Sequence, residues 1–278
     1  MTPDERHCLT VVREADRERY LSILFAPEER RGALAALQAF HAETARIRDL
    51  VHEPLPGEVR LQWWRDAIAA PPGERTGNPV ADALRDAIAA HGLPHAAFDR
   101  LLEGRVFDLY DDPMPDLATF EAWCGETAST LIQLAAMVLS PGEAPRFADA
   151  AGHAGCARAI ADLLVDLPRH RARGQCYIPV DILAAAGADR EALLAGEARA
   201  RPAVNAMIAL AREHLARFEA EATDLPRVVR PAFLPLASVG AQLSAVEGSA
   251  DPLHAPRRLS PLRVQWLTWR RAVWGWKA

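Results

Sequence analysis

Gly155-Cys-Ala-Arg158-Ala-Ile-Ala-Asp162-Leu-Leu-Val-Asp166-Leu-Pro168-Arg169-His170-Arg-Ala-Arg173-Gly174-Gln-Cys-Tyr177-Ile-Pro179 decides how the rest of the chain is read. Its spacing predicts a long helix over about 145–172, on which Asp162, Asp166 and His170 recur every four residues and so share a face. The helix then runs into a basic, glycine-terminated turn. An aspartate pair on an inward helical face can hold Mg²⁺ against a diphosphate, because hard cations take carboxylate oxygens. The third member is an imidazole, a poor partner for Mg²⁺. The face therefore reads either as a metal site or as the remains of one.

Outward from this stretch the pattern is helical throughout. A short helix opens at Asp16 and stops before Pro27, and Pro27-Glu-Glu-Arg starts another running to about Val51. Further helices are predicted from Pro56 and over 80–91, 95–110, 117–139, 180–186, 190–196, 202–222 and 230–246, with a tryptophan-rich helix at the end. Pro71–Pro79 and Glu247–Pro261 read as loops. No internal repeat or linker divides the chain, so one all-α domain is expected over 1–278, with its core at about 15–245 and a Trp/Arg-rich helix at 261–277.

Composition agrees. Of 278 residues half are hydrophobic, mostly Ala and Leu, enough for a sizeable core. Net charge is −5, which argues against nucleic-acid binding. The four cysteines form no CxxC pair and no zinc spacing, so free, buried thiols in a reducing compartment are expected. The N-terminus lacks the order of a signal peptide and no apolar run reaches membrane-spanning length, so a cytoplasmic protein is expected.

The order of these segments resembles the squalene/phytoene synthase family, whose fold is the all-helical isoprenoid synthase bundle around a central cavity. The likeness covers roughly 15–245 and rests on Arg19–Pro27, Leu37-Gln-Ala-Phe40, Leu61-Gln-Trp-Trp-Arg-Asp66, the run from Glu126, and Arg173–Pro179. Active members resembling it hold Mg²⁺ and prenyl diphosphates on two acidic motifs, Phe-Cys-Arg-x-x-Asp-Asp-x-x-Asp and Asn-x-x-x-Asp-x-x-Glu-Asp. The first falls on Phe40–Asp49, where the motif's Arg is Ala42, the two leading aspartates are Ala45 and Arg46, and only Asp49 matches. The second falls on Asp162–His170, where Asp166 is kept, Asp162 replaces the amide, and the closing acids are Arg169 and His170. A magnesium cluster needs several carboxylates in near-octahedral geometry. A cation such as Arg46 placed ~4 Å from the metal adds about 4 kcal/mol of repulsion per unit charge at an effective dielectric near 20.

These substitutions resemble a divergent branch, the complex I assembly factor-like members. The branch implies a non-catalytic role in building a respiratory complex, peripheral on the inner membrane, with no cofactor. If the chain is instead active, the resemblance implies a Mg-dependent head-to-head prenyltransferase using farnesyl or geranylgeranyl diphosphate, with Asp49, Asp162 and Asp166 as metal ligands. A third reading is a carrier of an isoprenoid or lipid.

Other residues keep two readings each. The aspartates either retain an ion or are neutralised by Arg158, Arg169, Arg171 and Arg173. Arg46, Arg48, Arg169, Arg171 and Arg173 could instead take a diphosphate or phospholipid headgroup directly, without metal. His41, His170 and Tyr177 are either cavity groups or core residues. Trp63 and Trp64 pack the core or line a tunnel. In the tail, Leu262, Trp266, Trp269, Val273 and Trp276 project to one side, with Trp274 among them in sequence and Arg263, Arg270, Arg271 and Lys277 as the basic residues. That pattern suits either a core-docked helix or one resting on a membrane surface or partner.

Overall fold

The computed structural model describes residues 1–71 and 73–276, and among them every regular element is helical. In chain order these are α1 (Pro3–Ala15), α2 (Arg17–Leu24), α3 (Glu28–Ala45), α4 (Ile47–Leu50), α5 (Pro54–Ala69), α6 (Pro79–His91), α7 (His95–Phe107), α8 (Leu117–Cys124) and α9 (Thr130–Leu139). There follow α10 (Ala148–Val165), α11 (Leu167–Ala172), α12 (Val180–Ala185), α13 (Arg190–Ala195), α14 (Arg201–Glu221), α15 (Arg230–Phe233), α16 (Val239–Glu247) and α17 (Pro261–Trp274).

Two central helices, α3 and α10, organise the bundle. From Ala33 to Phe40 every residue of α3 is buried, and Phe40 meets Trp64 and Phe98 edge-on at 5.1 and 5.7 Å. One residue further on, His41 faces a cavity. On its other side α10 packs along α14, and Gly155 lets it approach the turn after α8 so closely that an added Cβ would lie 2.4 Å from the Ser129 nitrogen. All four cysteines are buried and unbridged.

α1 was not foreseen. Its Thr2 hydroxyl accepts from the Glu5 amide (3.2 Å) while the Glu5 carboxylate accepts from the Thr2 nitrogen (2.6 Å), a reciprocal cap with Pro3 in the first turn. It buries Cys8 and Val12 against the bundle.

Four predicted helices are interrupted. The one expected from Pro27 to Val51 breaks at Arg46, just after Thr44, whose hydroxyl donates back to the Phe40 and His41 carbonyls. The one over 117–139 widens into a single π-turn at Gly125–Ser129, where the hydroxyls of Thr127 and Thr130 bond the Trp123 and Gly125 carbonyls. The one over 230–246 is split around Pro235, which has no amide to donate.

The fourth interruption matters most. Pro168 cannot bond the Leu164 carbonyl, so the helix of the opening stretch turns at Asp166 into α11. Asp162 and Asp166 stay on the cavity, but His170 swings into the core against Tyr177 (5.0 Å between rings). The expected three-member face is therefore a two-member face.

Candidate functional site

A cavity of about 550 Å³ opens where α2, α3, α4, α10 and α16 meet the segment leading into α17. It gathers Asp49, Asp162 and Asp166 with His41, Ala45 and Arg46, as the two acidic stretches require. Its lining carries five carboxylates, Asp16, Glu18, Asp49, Asp162 and Asp166, and six arginines, Arg17, Arg19, Arg46, Arg158, Arg169 and Arg258.

Each of the three aspartates is held by arginine. Arg158 Nε donates to Asp162 Oδ2 (2.8 Å) and its Nη1 to Glu18 Oε2 (2.6 Å) and the Pro235 carbonyl (2.8 Å). Asp166 is clamped between Arg169 (2.7 Å) and Arg258 (2.8 Å). Asp49 pairs with Arg173, with Arg169 at 3.8 Å on its other oxygen. On the α2 side Asp16 caps the helix through the Arg19 amide (3.0 Å) and pairs with the Arg19 side chain (3.0 Å), which also reaches Gln38 (3.1 Å).

The electrostatics follow from these pairs. Burial lowers the Arg158 pKa, but Asp162, Glu18 and Asp16 outweigh it and leave Arg158 well above its ordinary value. Burial also raises Asp162, and Arg158 only partly offsets this because Asp16 adds a like charge. For Asp16 burial is outweighed by Arg158 and Arg19, so its carboxyl sits below the usual range. Burial pushes His41 well below its ordinary pKa, and Arg19, Arg105 and Arg158 push it the same way. Arg105 Nη2 lies 3.2 Å from His41 Nδ1; since arginine can only donate, that nitrogen is the acceptor and His41 is neutral. Arg105 in turn bonds Asp108 (2.9 Å), which accepts from the Tyr177 hydroxyl (2.9 Å).

The remaining sequence candidates lie elsewhere. His170 is buried and Tyr177 half-buried, and both line a small separate cavity; Tyr177 is linked to His41 through Asp108 and Arg105. Trp64 is buried and Trp63 exposed, and both line a groove of about 400 Å³ beside Arg46, Arg60 and Leu50. Arg48 and Arg171 are taken up by protein groups, Arg48 by Asp111 (3.0 Å) and Arg171 by the Leu253 carbonyl (2.6 Å). On α17, Trp266, Trp269, Arg270 and Trp274 are exposed. Trp276 is not: the backbone turns at Gly275 (φ 75°) and drops its ring edge-on against Phe218 at 5.2 Å. Lys277 lies outside the described residues.

Sequence reasoning missed Asp16, Glu18, Arg19 and Arg258 as cavity residues. Asp16 and Arg19 had a signal, an acid and a base three apart at a helix start. Arg258 had none, being 92 residues from Asp166.

Residues 12–270 match the profile of squalene/phytoene synthase. The chain belongs to that family. Complex I assembly factor 6 of NADH dehydrogenase (ubiquinone) from Rattus norvegicus is 30% identical over 283 residues, covering 97% of this chain and 83% of that protein. The phytoene synthase of Thermus thermophilus is 30% identical over 215 residues, 75% of this chain and 70% of that protein. The crystal structure of squalene synthase HpnC from Alicyclobacillus acidocaldarius shares the fold, with a TM-score of 0.75 and 21% identity over 91% of this chain and 95% of that one. The all-α isoprenoid synthase fold expected from the sequence is the fold observed.

The family's magnesium does not fit the donor set of this cavity. Ala45 offers no oxygen, Arg46 brings a positive charge, and one oxygen each of Asp49 and Asp162 and both oxygens of Asp166 already accept from guanidinium groups. Among the described residues no three His, Cys, Asp or Glu side chains converge as a metal site. An ion entering here would have to displace charge-assisted hydrogen bonds and then sit among arginines.

Proposed function

We propose that this chain is a non-catalytic member of its family, working as an assembly-type factor for a respiratory NADH dehydrogenase complex at the inner membrane. One observation carries the reading: the three carboxylates left at the magnesium positions are each neutralised by arginine. The cavity is thereby turned from a cation trap into a self-compensated polar core. Its likeness along nearly the whole chain to complex I assembly factor 6 supports the same role. No cofactor is needed for it.

The test is pyrophosphate release from farnesyl or geranylgeranyl diphosphate with Mg²⁺. The expected result is release no faster than a blank without protein. Release abolished by Asp166→Ala would instead establish the second reading, a Mg-dependent head-to-head prenyltransferase. That reading is favoured by the convergence of Asp49, Asp162 and Asp166 on one cavity and by the likeness to a phytoene synthase. Thermal stabilisation by a prenyl diphosphate without turnover would point to a carrier.

A further inference from the structure

We propose that α17 is a preformed docking helix for the surface of an anionic lipid bilayer. At about 100° per residue, Leu262, Trp266, Trp269 and Val273 fall within an arc of roughly 60°. The body-facing residues, Val264 and Thr268, lie on the opposite side and are buried. The arc points away from the protein: Leu262 is 77% exposed, Trp266 55% and Trp269 40%. Trp274, 56% exposed, joins it, and the three indoles touch one another at ring separations of 5.1 and 5.2 Å.

Charge names the occupant. The chain as a whole is at −5, yet Asp251 is its last acidic residue, and Arg257, Arg258, Arg263, Arg270 and Arg271 follow. Arg258 and Arg271 are taken by Asp166 and Glu219. Arg263 and Arg270, beside the aromatic arc, form no ion pair among the described residues. Indoles at headgroup depth with arginines at their border are the pattern of an interfacial helix on anionic lipid. A second copy is disfavoured, since a two-fold pairing of α17 would bring the unpaired arginines Arg263 and Arg270 of the two copies together with no acid on the helix to offset them.

The face is also rigid before it binds. Ser260 caps the start of α17, Arg230 donates to the Ala272 and Val273 carbonyls at its end (3.3 and 3.1 Å), and buried Trp276 pins the turn beyond. Docking therefore needs little ordering. The proposal is independent of whether the cavity turns anything over.

Sedimentation of the full chain with vesicles tests it. Phosphatidylcholine vesicles containing phosphatidylglycerol should bind the protein, pure phosphatidylcholine should not, and salt should weaken the binding. Arg263→Gln/Arg270→Gln should weaken it about 30-fold, taking roughly fivefold for each basic residue near the surface. Trp266→Ser/Trp269→Ser/Trp274→Ser, with an unchanged far-UV dichroism spectrum, should abolish it. The proposal is overturned by no binding of the unaltered chain to the anionic vesicles, by unchanged binding of the folded triple variant, or by unchanged binding of the arginine variant. A concentration-dependent dimer that the triple variant loses, found without vesicle binding, would also overturn it; it would give the face to a second copy.

Discussion

The central cavity and the outer face of α17 treat charge in opposite ways. In the cavity Asp49, Asp162 and Asp166 all meet a guanidinium within the fold, and Arg158 is matched by carboxylates from two helices. α17 carries three arginines and no acidic residue, and three exposed indoles lie against one another on its outer side. Charge that is matched inside the molecule goes into stability. Charge left unmatched beside apolar surface is available to something outside it. The arginine pairing of the cavity aspartates is the observation on which the proposed non-catalytic role rests.

Substitutions should split along this line. The largest effect is expected at Arg158, which is buried and tied to Glu18, Asp162 and the Pro235 carbonyl. Arg158→Met leaves those carboxylates without their counter-charge and should cost about 3–5 kcal/mol, lowering the melting temperature by about 10 °C. A melting temperature within a degree or two of the unaltered chain would mean the network carries no stability. Within the tail itself, Trp276→Ala should be nearly as costly, about 3–5 kcal/mol, because a buried indole against Phe218 is removed. Chemical denaturation measures it.

How much of this could be read from the sequence divides by distance along the chain. The helices follow from apolar periodicity, and the fold from the order of motifs between Arg19 and Pro179. The pairing of Arg158 with Asp162 is visible as an i,i+4 contact and that of Arg169 with Asp166 as i,i+3. Glu18, 140 residues from Arg158, leaves no local trace. Two features that depart from the expected pattern carry local signals in the sequence. Thr2-Pro-Asp-Glu5 is a capping-box pattern ahead of α1. Gly275, a glycine near a helix end, should have stopped the helical projection before Trp276. The break at Pro168 was also legible, and allowing for it would have removed His170 from the acidic face.

His170 gives a third test, of intermediate size. Burial and the neighbouring Arg169 push its pKa from 6.5 to about 4. Between those values the unfolded chain takes up a proton that the folded chain refuses, so stability falls as pH falls through that window. From pH 7 to pH 5 this one group should cost about 2 kcal/mol. His170→Phe keeps a ring against Tyr177 and removes the titration. Urea midpoints at the two pH values should therefore differ less in the variant than in the unaltered chain, by an amount corresponding to about 2 kcal/mol. Equal differences would show that His170 is not held neutral by the core.

The smallest expected effect is the most informative about α17. Trp266 stacks on Trp269, which Trp274 meets edge-on, all three on the exposed side of α17, so Trp266→Ser or Trp269→Ser should change folding stability by no more than about 0.5 kcal/mol. Set beside Trp276→Ala, this places two tryptophans ten residues or fewer apart in one helix-and-turn unit at opposite ends of the stability scale. Denaturant titration of the three single variants measures that spread directly. If Trp266→Ser proved as destabilising as Trp276→Ala, the aromatic face would be serving the fold, and the contrast between an inward-matched cavity and an outward-facing helix would fail.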